Sequence, residues 1–267
     1  MTAWRIHHRA ETASTNLDAR AGTHGDVFTA DFQTAGRGRL DHKWLSPPGT
    51  NLMMSVVLSV EGLSPEQVST LPLVAGLAVA EGLSPFVARG LSPSARGLSP
   101  LVERGLSPSA GGGALLKWPN DVLVGGRKLA GILCERQGDL VVVGIGVNVG
   151  QRDFPSELAG RATSLATLGA GDIPACSSVR DAILSKLGEL YSLWRANGFA
   201  AVYPQIVAID CLRGRELSVR QTDDDARPAT GVCGGILPDG SLDVGGVRIY
   251  AGEAHVLRQA AVSCDMV

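Results

Sequence analysis

The interpretation of this chain starts from one glycine-rich stretch, Asp31-Phe32-Gln33-Thr34-Ala35-Gly36-Arg37-Gly38-Arg39-Leu40-Asp41-His42-Lys43-Trp44. The alternating apolar run at residues 27–32 predicts a strand, and the glycines after it let the backbone approach a ligand closely. Arg37, Arg39 and Lys43 supply fixed positive charge, and Trp44 offers a flat indole face. The stretch therefore predicts a loop that wraps an anion, although a solvated basic hairpin would have the same composition.

A second stretch, residues 117–135, combines a lysine with a predicted hairpin. It reads Lys117-Trp118-Pro119-Asn120-Asp121, an apolar run, Gly125-Gly126, and Arg127-Lys128-Leu129-Ala130-Gly131-Ile132-Leu133-Cys134-Glu135. A Gly-Gly pair between two apolar runs is typical of a β-hairpin. Ser14-Thr15-Asn16 lies upstream of these stretches, and Gly144-Ile145-Gly146-Val147-Asn148-Val149 lies downstream.

These four motifs, in this order over residues 12–150, resemble those of the biotin protein ligases, also called biotin-[acetyl-CoA-carboxylase] synthetases. The resemblance implies an α+β catalytic domain like that of class II aminoacyl-tRNA synthetases, with a mixed, largely antiparallel sheet and covering helices. A small C-terminal SH3-like β-barrel would follow it. The implied domains are residues 1–208, including an insertion at 81–111, and residues 212–258.

The resemblance also implies which residues bind each substrate. Those implied for biotin are Ser14, Thr15, Asn16, Gln33, Gly36, Arg37, Lys128 and Gly131. Those implied for ATP are Arg39, Trp44, Lys117, Asn120 and Asn148. Lys128 would be the principal catalytic residue, bridging the biotin carboxylate and the α-phosphate, with Arg37 and Arg39 beside it. Asp121 is the candidate ligand for Mg²⁺, although an aspartate before a strand is often only a turn residue.

The implied activity is that of a biotin-[acetyl-CoA-carboxylase] ligase, which forms biotinyl-5'-AMP from biotin and ATP and transfers the biotin to a lysine of a biotin carboxyl carrier protein. Activation needs positioning and charge neutralisation rather than a general base, because the carboxylate is already ionised. Two alternatives stay open. One is a lipoate or octanoate ligase, whose different Arg-Gly-Gly-Gly loop this sequence lacks, and the other is a catalytically impaired biotin-binding protein.

Composition narrows the class of protein. The 267 residues, 45% of them hydrophobic, suffice for one large and one small domain, and a net charge of -2 gives no general attraction for nucleic acid. About a dozen residues precede Ser14, too few for a helix-turn-helix domain, so we expect the short ligase form without direct DNA binding. We leave open a monomer or a homodimer.

The same sequence predicts a cytoplasmic chain with reduced thiols. The five cysteines, including Cys264, form no C-x-x-C pair. The N-terminus has no apolar signal region, and we expect no later run to approach a membrane span.

Periodicity predicts the individual elements. Expected strands lie at residues 4–8, 51–60, 115–118, 122–124, 127–135 and 140–149, the last one broken by Gly144 and Gly146. Expected helices are residues 17–21, capped by Ser14 or Thr15, a helix capped by Ser69 or Thr70, and residues 179–194. Five short strands between residues 216 and 257 would form the small barrel.

Residues 81–111 contain a tandem Gly-Leu-Ser-Pro repeat with a period of 7 to 8 residues. A proline in each copy should prevent a continuous helix, so we expect an exposed, poorly ordered insertion.

Overall fold

The computed structural model describes residues 3–40, 42–90, 113–169, 172–220 and 228–258. A seven-stranded sheet forms its centre, with the strand order β1-β2-β3-β7-β6-β5-β4. The strands are β1 Arg5–Thr12, β2 Asp26–Gln33, β3 Leu52–Ser59, β4 Leu115–Lys117, β5 Asp121–Val124, β6 Arg127–Gln137 and β7 Leu140–Val147. Strands β1 and β2 run parallel, and the other described neighbours pair antiparallel. The predicted mixed, largely antiparallel sheet is confirmed.

Two long helices cover one face of this sheet. The helices are α1 Thr15–Ala19, α2 Pro65–Ser69, α3 Leu71–Gly90, α4 Cys176–Asn197 and α5 Tyr203–Ala208. Side chains of α3 and α4 join one core with the buried side chains of β3, β6 and β7 that point the same way, such as Val56, Ile132 and Ile145. The two helices approach closely, because a Cβ on Gly82 of α3 would lie 2.8 Å from the Ile183 Cα of α4.

The opposite face of the sheet stays open for a site. Alternation along each strand points Ser55 of β3, Glu135 of β6 and Gly144 of β7 to this face. Helix α1 covers part of it, where Ala19 packs on Val57 and Val142. The glycines leave room that a side chain would fill.

A five-stranded antiparallel sheet, in the order β11-β10-β9-β8-β12, makes up the described C-terminal part. Its strands are β8 Glu216–Arg220, β9 Ala229–Ile236, β10 Leu242–Val244, β11 Val247–Ile249 and β12 Glu253–Arg258. The buried Trp118 indole donates a hydrogen bond to the Gly240 carbonyl at 3.1 Å, which ties this sheet to the end of β4. The predicted small C-terminal β domain is confirmed, while its exact bounds stay a prediction.

The expectation for the start of the repeat is wrong. Helix α3 continues through residue 90 with Pro85 inside it, so the first copy is helical rather than an exposed insertion. Leu83 and Val87 are buried, and burying two such side chains, at about 1.5–3 kcal/mol each, offsets the ~3 kcal/mol cost of an internal proline. The rest of the repeat, residues 91–111, lies outside the described residues.

Two local expectations also need correction. Strand β7 is not broken at Gly144 and Gly146, because it pairs with β3 on one side and β6 on the other, and this double ladder outweighs the weak strand propensity of glycine. Helix α1 starts at Thr15 and ends at Ala19, and the Ser14 side chain at its N-cap makes no capping hydrogen bond.

One run among the described residues comes nearer to a membrane span, in length and composition, than expected from the sequence. The segment Pro65–Arg89 is long and apolar enough to cross a membrane, but 67% of its most apolar window is buried inside the fold. The buried apolar side chains in it belong to α3, a core helix that packs on α4 and the sheet.

Candidate active site

One cavity of about 1100 Å³ lies on the open face of the large sheet. Its walls are the start of α1, the loop at 37–45, the β4–β5 and β5–β6 turns, the 157–162 segment and the beginning of β12. Each residue predicted for biotin, ATP or Mg²⁺ lines this cavity except Gly36. Gly36 lies directly behind it, where a Cβ would lie 2.5 Å from the Trp44 carbonyl oxygen. Residues far apart in sequence thus meet in one site.

Hydroxyls and amides gather at the start of α1, and we name Ser14, Thr15, Asn16, Gln33 and Ser55 the amide cluster. The Thr15 backbone N–H and its hydroxyl donate to Gln33 Oε1 at 2.7 and 3.1 Å. The Ser55 hydroxyl lies 2.8 Å from Thr15 Oγ1 and 2.6 Å from Asn16 Oδ1. Ser14, Thr15 and Asn16 are 2–4% exposed. Burial and mutual hydrogen bonds therefore fix the orientation of this cluster.

Four cations line the same cavity, and we name Arg37, Arg39, Lys117 and Lys128 the cationic cluster. The glycine-rich loop that carries the two arginines folds as a tight hairpin, in which Gly38 N–H donates to the His42 carbonyl at 2.7 Å and Trp44 N–H to the Gly36 carbonyl at 3.0 Å. Asp41 at its tip lies outside the described residues. The loop thus holds its two arginines at the cavity by backbone bonds rather than as a free surface segment.

Three of the four cations in this cluster contact a polar partner within the protein. Arg37 Nη1 lies 3.2 Å from Glu135 Oε1, and Lys128 Nζ lies 2.6 Å from Asp121 Oδ1. Arg39 Nη1 donates to the Gly252 carbonyl at 3.1 Å and lies 3.5 Å from Asn120 Oδ1. These partners hold the charges in place without neutralising the cavity as a whole.

The two predicted asparagines support the backbone around the site. Asn120 Nδ2 donates to the Ile132 carbonyl at 2.8 Å, and Asn148 Nδ2 donates to the Thr163 carbonyl at 3.0 Å. Both side chains line the cavity, so their amide oxygens are the atoms that a nucleotide would meet. Their contact with ATP stays a prediction.

The indole of Trp44 lies on a floor of glycines. Gly131 of β6 and Gly146 of β7 are direct cross-strand partners, and a Cβ on Gly146 would lie 2.5 Å from the indole. Lys128 Nζ lies 5.9 Å from the centre of a Trp44 ring, within reach of a cation–π interaction. Trp44 Nε1 is buried without a hydrogen-bond partner among the residues that the structure describes. The indole therefore covers the glycines of the sheet by packing alone, since no hydrogen bond to a described residue holds its N–H.

Burial changes two pKa values at the cationic cluster. It lowers the pKa of the Arg39 guanidinium, against the opposing effect of the Asp121 and Glu253 carboxylates. The guanidinium still carries its charge at neutral pH, because its ordinary pKa is so high. Burial raises the pKa of the nearby Cys134 thiol to about 12. The positive charge of Arg39 is thus permanent, and the Cys134 thiol stays neutral on the helical face of β6, outside the cavity.

Sequence reasoning missed three parts of the site: Ser55, Glu135 and the start of β12. The C-terminal sheet supplies Glu253, whose carboxylate lies 3.7 Å from His42 Nε2 of the glycine-rich loop. Glu135 contacts Asn16 and Arg37, which lie 119 and 98 residues away in sequence. Alternation along β6 could have placed Glu135 on the face of Gly131, but no local signal identifies its partners.

Comparison with known proteins agrees with this geometry. The sequence model of the biotin/lipoate A/B protein ligase family matches residues 8–151. A "Biotin--[acetyl-CoA-carboxylase] ligase" of Mycobacterium tuberculosis is 36% identical, over 96% of this chain and 91% of that protein. The "Bifunctional ligase/repressor BirA" of Bacillus subtilis is 33% identical over 67% of this chain but only 49% of its own length.

Among solved structures, the biotin protein ligase from Aquifex aeolicus in complex with biotin and ATP matches 95% of this chain and 99% of its own, with 28% identity and a TM-score of 0.74. The family model covers more than half of the sequence, and the mycobacterial relative is matched over nearly its full length. This chain belongs to the biotin/lipoate A/B protein ligase family.

Proposed function

We propose that this chain is an ATP-dependent ligase that activates biotin as biotinyl-5'-AMP and transfers it to a lysine of a biotin carboxyl carrier protein. The main support for this proposal is that one cavity contains both the buried, uncharged amide cluster and the cluster of four cations. The cyclic urea of biotin needs uncharged hydrogen-bonding groups, which the amide cluster supplies. A carboxylate beside a triphosphate needs positive charge, which the cationic cluster supplies. The names of the relatives support the same reaction.

In the first step, a carboxylate oxygen of biotin attacks the α-phosphorus of ATP. A new P–O bond forms, the bond from the α-phosphorus to the oxygen bridging to the β-phosphate breaks, and pyrophosphate leaves with the electron pair. Two anions must approach each other, so the cations lower the barrier by holding both and by stabilising the charge of the transition state. Lys128, Arg37 and Arg39 are the proposed catalytic residues.

Lys128 is proposed to exchange partners when the substrates bind. Its Nζ lies 2.6 Å from Asp121 Oδ1, and a Cβ on Gly131 would lie only 3.1 Å from the same Nζ. The missing side chain at Gly131 thus leaves room for the ammonium on the sheet. A substrate carboxylate or phosphate offers the same ammonium a second anion, so the charge of Lys128 stays paired when it turns toward the substrate.

The residues fit Mg²⁺ as part of a nucleotide complex. Magnesium is usually held by one or two carboxylates together with substrate phosphates and water. Asp121 lines the cavity and can supply one carboxylate oxygen, while no group of three potential metal ligands occurs among the described residues. We assign Asp121 as the protein ligand, and the ion would neutralise charge on the phosphates.

In the second step, the neutral amine of a carrier lysine attacks the acyl carbon of biotinyl-5'-AMP. The new C–N bond forms, the bond from the acyl carbon to the phosphate oxygen breaks, AMP leaves with the electron pair, and the nitrogen releases one proton to solvent. The Trp44 indole and the glycine-rich loop, which Arg39 ties to Gly252 just before β12, line the cavity in which the adenylate would lie. Covering the adenylate in this way limits its hydrolysis by water.

The amide cluster argues against a lipoate or octanoate substrate. Neither the hydrocarbon chain of octanoate nor the dithiolane ring of lipoate carries a strong hydrogen-bonding group for this cluster. A buried polar group left without a partner costs about 1–3 kcal/mol. We therefore expect biotin to be strongly preferred over acids with such tails.

The test is ATP-dependent release of pyrophosphate with biotin, lipoate or octanoate. We expect release with biotin and a ~10²–10³-fold slower release by Lys128→Ala, since removal of one transition-state contact typically costs that much. Lys186→Ala is the matched control, because Lys186 pairs with Glu189 on the outside of α4. Release with lipoate or octanoate but not biotin would favour the other branch of the family. No release with any acid from folded protein would mean a catalytically impaired binding protein.

A further inference from the structure

Glu135, to which the preceding mechanism gives no role, lies between the two clusters. It points from β6 to the open face of the sheet, and its side chain is 21% exposed. Its two carboxylate oxygens have different partners. Oε2 accepts a 2.7 Å hydrogen bond from Asn16 Nδ2, while Oε1 faces Arg37 Nη1 at 3.2 Å and Arg20 Nη2 at 3.3 Å. One side chain thus contacts both the amide cluster and the cationic cluster.

The hydrogen bond that Asn16 donates to Glu135 fixes the orientation of the Asn16 amide. Asn16 Nδ2 must point to the carboxylate, because a carboxylate only accepts hydrogen bonds. Asn16 Oδ1 then faces the Ser55 hydroxyl at 2.6 Å. The amide packs against Gly144, where a Cβ would overlap it. Both polar atoms of Asn16 are therefore used within the protein, and Asn16 in turn fixes Ser55 next to Thr15.

The hydrogen bond that Arg37 donates to Glu135 also fixes the guanidinium and leaves its other donors available. A guanidinium carries five N–H donors in a rigid fork, and Glu135 engages Nη1. The Arg37 side chain is 45% exposed and lines the cavity. The remaining donors can bind a substrate anion while the carboxylate holds the group in place.

We propose that Glu135 is a positioning residue that holds the Arg37 and Asn16 side chains in their binding orientations before the substrates bind. Its Oε2 orients the amide cluster for the ring of biotin, and the negative charge at Oε1 orients Arg37 for the reacting anions. Preorganisation of this kind strengthens binding because less freedom is lost when the ligand arrives. The inference rests on the proposed function, since it names the support of that same site.

The test compares Glu135→Gln with Glu135→Ala in the full chain. Biotin affinity is measured by titration calorimetry, kcat and KM by pyrophosphate release, and folding by thermal unfolding. Glu135→Ala removes both contacts, so we expect biotin to bind about tenfold or more weakly and kcat to fall. Glutamine keeps an acceptor for Asn16 but loses the charge, so Glu135→Gln should regain biotin affinity to within about threefold while kcat stays several-fold low.

Glu81→Ala is the matched control, because Glu81 pairs with Lys186 on the helical side of the fold at 3.6 Å. It should leave all three kinetic and binding values unchanged. Unchanged affinity and kcat in folded Glu135→Ala would overturn the inference, and so would a change in melting temperature alone. Equal loss of biotin affinity in Glu135→Gln and Glu135→Ala would overturn the division of roles between the two oxygens. Absence of biotin binding and pyrophosphate release in the wild type would refute the proposed function itself, and this inference with it.

Discussion

The amide cluster and the cationic cluster share one cavity but are held by different forces. Ser14, Thr15 and Asn16 are almost fully buried, carry no charge and sit in a network of short hydrogen bonds. Arg37 and Lys128 keep 45% and 36% of their side chains exposed and rely on single carboxylate partners. The comparison indicates that the first cluster selects the substrate by shape and pairing, whereas the second supplies charge and tolerates movement.

Apart from Lys128→Ala, the substitution with the largest expected effect is Thr15→Val, because Thr15 lies in the buried amide cluster. Thr15→Val keeps the shape but removes two buried hydrogen bonds of the Thr15 hydroxyl, one to Gln33 Oε1 and one with the Ser55 hydroxyl. At about 0.5–1.5 kcal/mol for each lost bond, biotin should bind roughly ten- to a hundredfold more weakly, with the KM for ATP unchanged. Titration calorimetry and pyrophosphate release measure the two values. Thr50→Val, which loses only a bond to the Pro47 carbonyl, is the control.

A smaller effect is expected at Arg39, with the opposite selectivity. Arg39 donates to the Gly252 carbonyl and lies beside Asn120, a span that the point charge of a lysine cannot reproduce. Arg39→Lys should raise the KM for ATP about tenfold and leave biotin affinity within about twofold. Arg195→Lys is the control, because Arg195 also donates to two carbonyls, those of Ser59 and Glu61. A loss of biotin affinity equal to the loss for ATP would contradict the separation of the clusters.

A still smaller effect is expected from the glycine floor. In Gly146→Ala the added Cβ would meet the Trp44 indole at 2.5 Å, so the indole must lift away from the sheet. We expect the Trp44 emission, isolated by subtracting the Trp44→Phe spectrum, to shift to longer wavelength, and the KM for ATP to rise a few-fold. Gly113→Ala is the control, because a Cβ added there would meet no described atom within 4 Å. An unchanged spectrum would show that the indole rests elsewhere.

No effect is expected at Cys134. Burial raises the pKa of its thiol to about 12, so the thiol stays protonated and neutral as the pH rises from about 6 to about 9. Cys134→Ala should therefore leave the pH profile of the KM for ATP unchanged over this range. The wild-type profile could instead have a step near the ordinary thiol pKa of about 8.5 that the Cys134→Ala profile lacks. That result would show that Cys134 adds negative charge to the cationic cluster.

Local pattern was sufficient for most elements of the large sheet. Alternation and the Gly125-Gly126 turn predicted β2, β5 and β6, and the structure confirms them within a few residues. The pattern failed at Pro85, Gly144 and Gly146, where residue type disfavours the element found. Packing of α3 on α4, and the ladders on both sides of β7, decide the structure there. Propensity is a local quantity, whereas burial and pairing depend on distant neighbours.

The candidate site divides in the same way. The resemblance of the four motifs to those of the biotin protein ligases implied residues that the structure places at the cavity, including Ser14, Gln33 and Lys128. It could not show that Lys128 rests on Asp121, that Asn120 and Asn148 brace the backbone, or that β12 reaches the glycine-rich loop. Each of these contacts depends on how two segments are placed in space rather than on their composition.

By itself, the sequence determined the four motifs, most of the individual strands and the positive charge of the glycine-rich loop, because each of these follows from residue type and short-range spacing. The fold class came from the resemblance that those motifs carry. The tertiary structure alone decided which charges are paired, which hydroxyls and amides are buried, and that Glu135 joins the two clusters. The physical reason is that electrostatic and hydrogen-bond energies depend on distances between atoms. Those distances are set by packing across residues far apart in the chain.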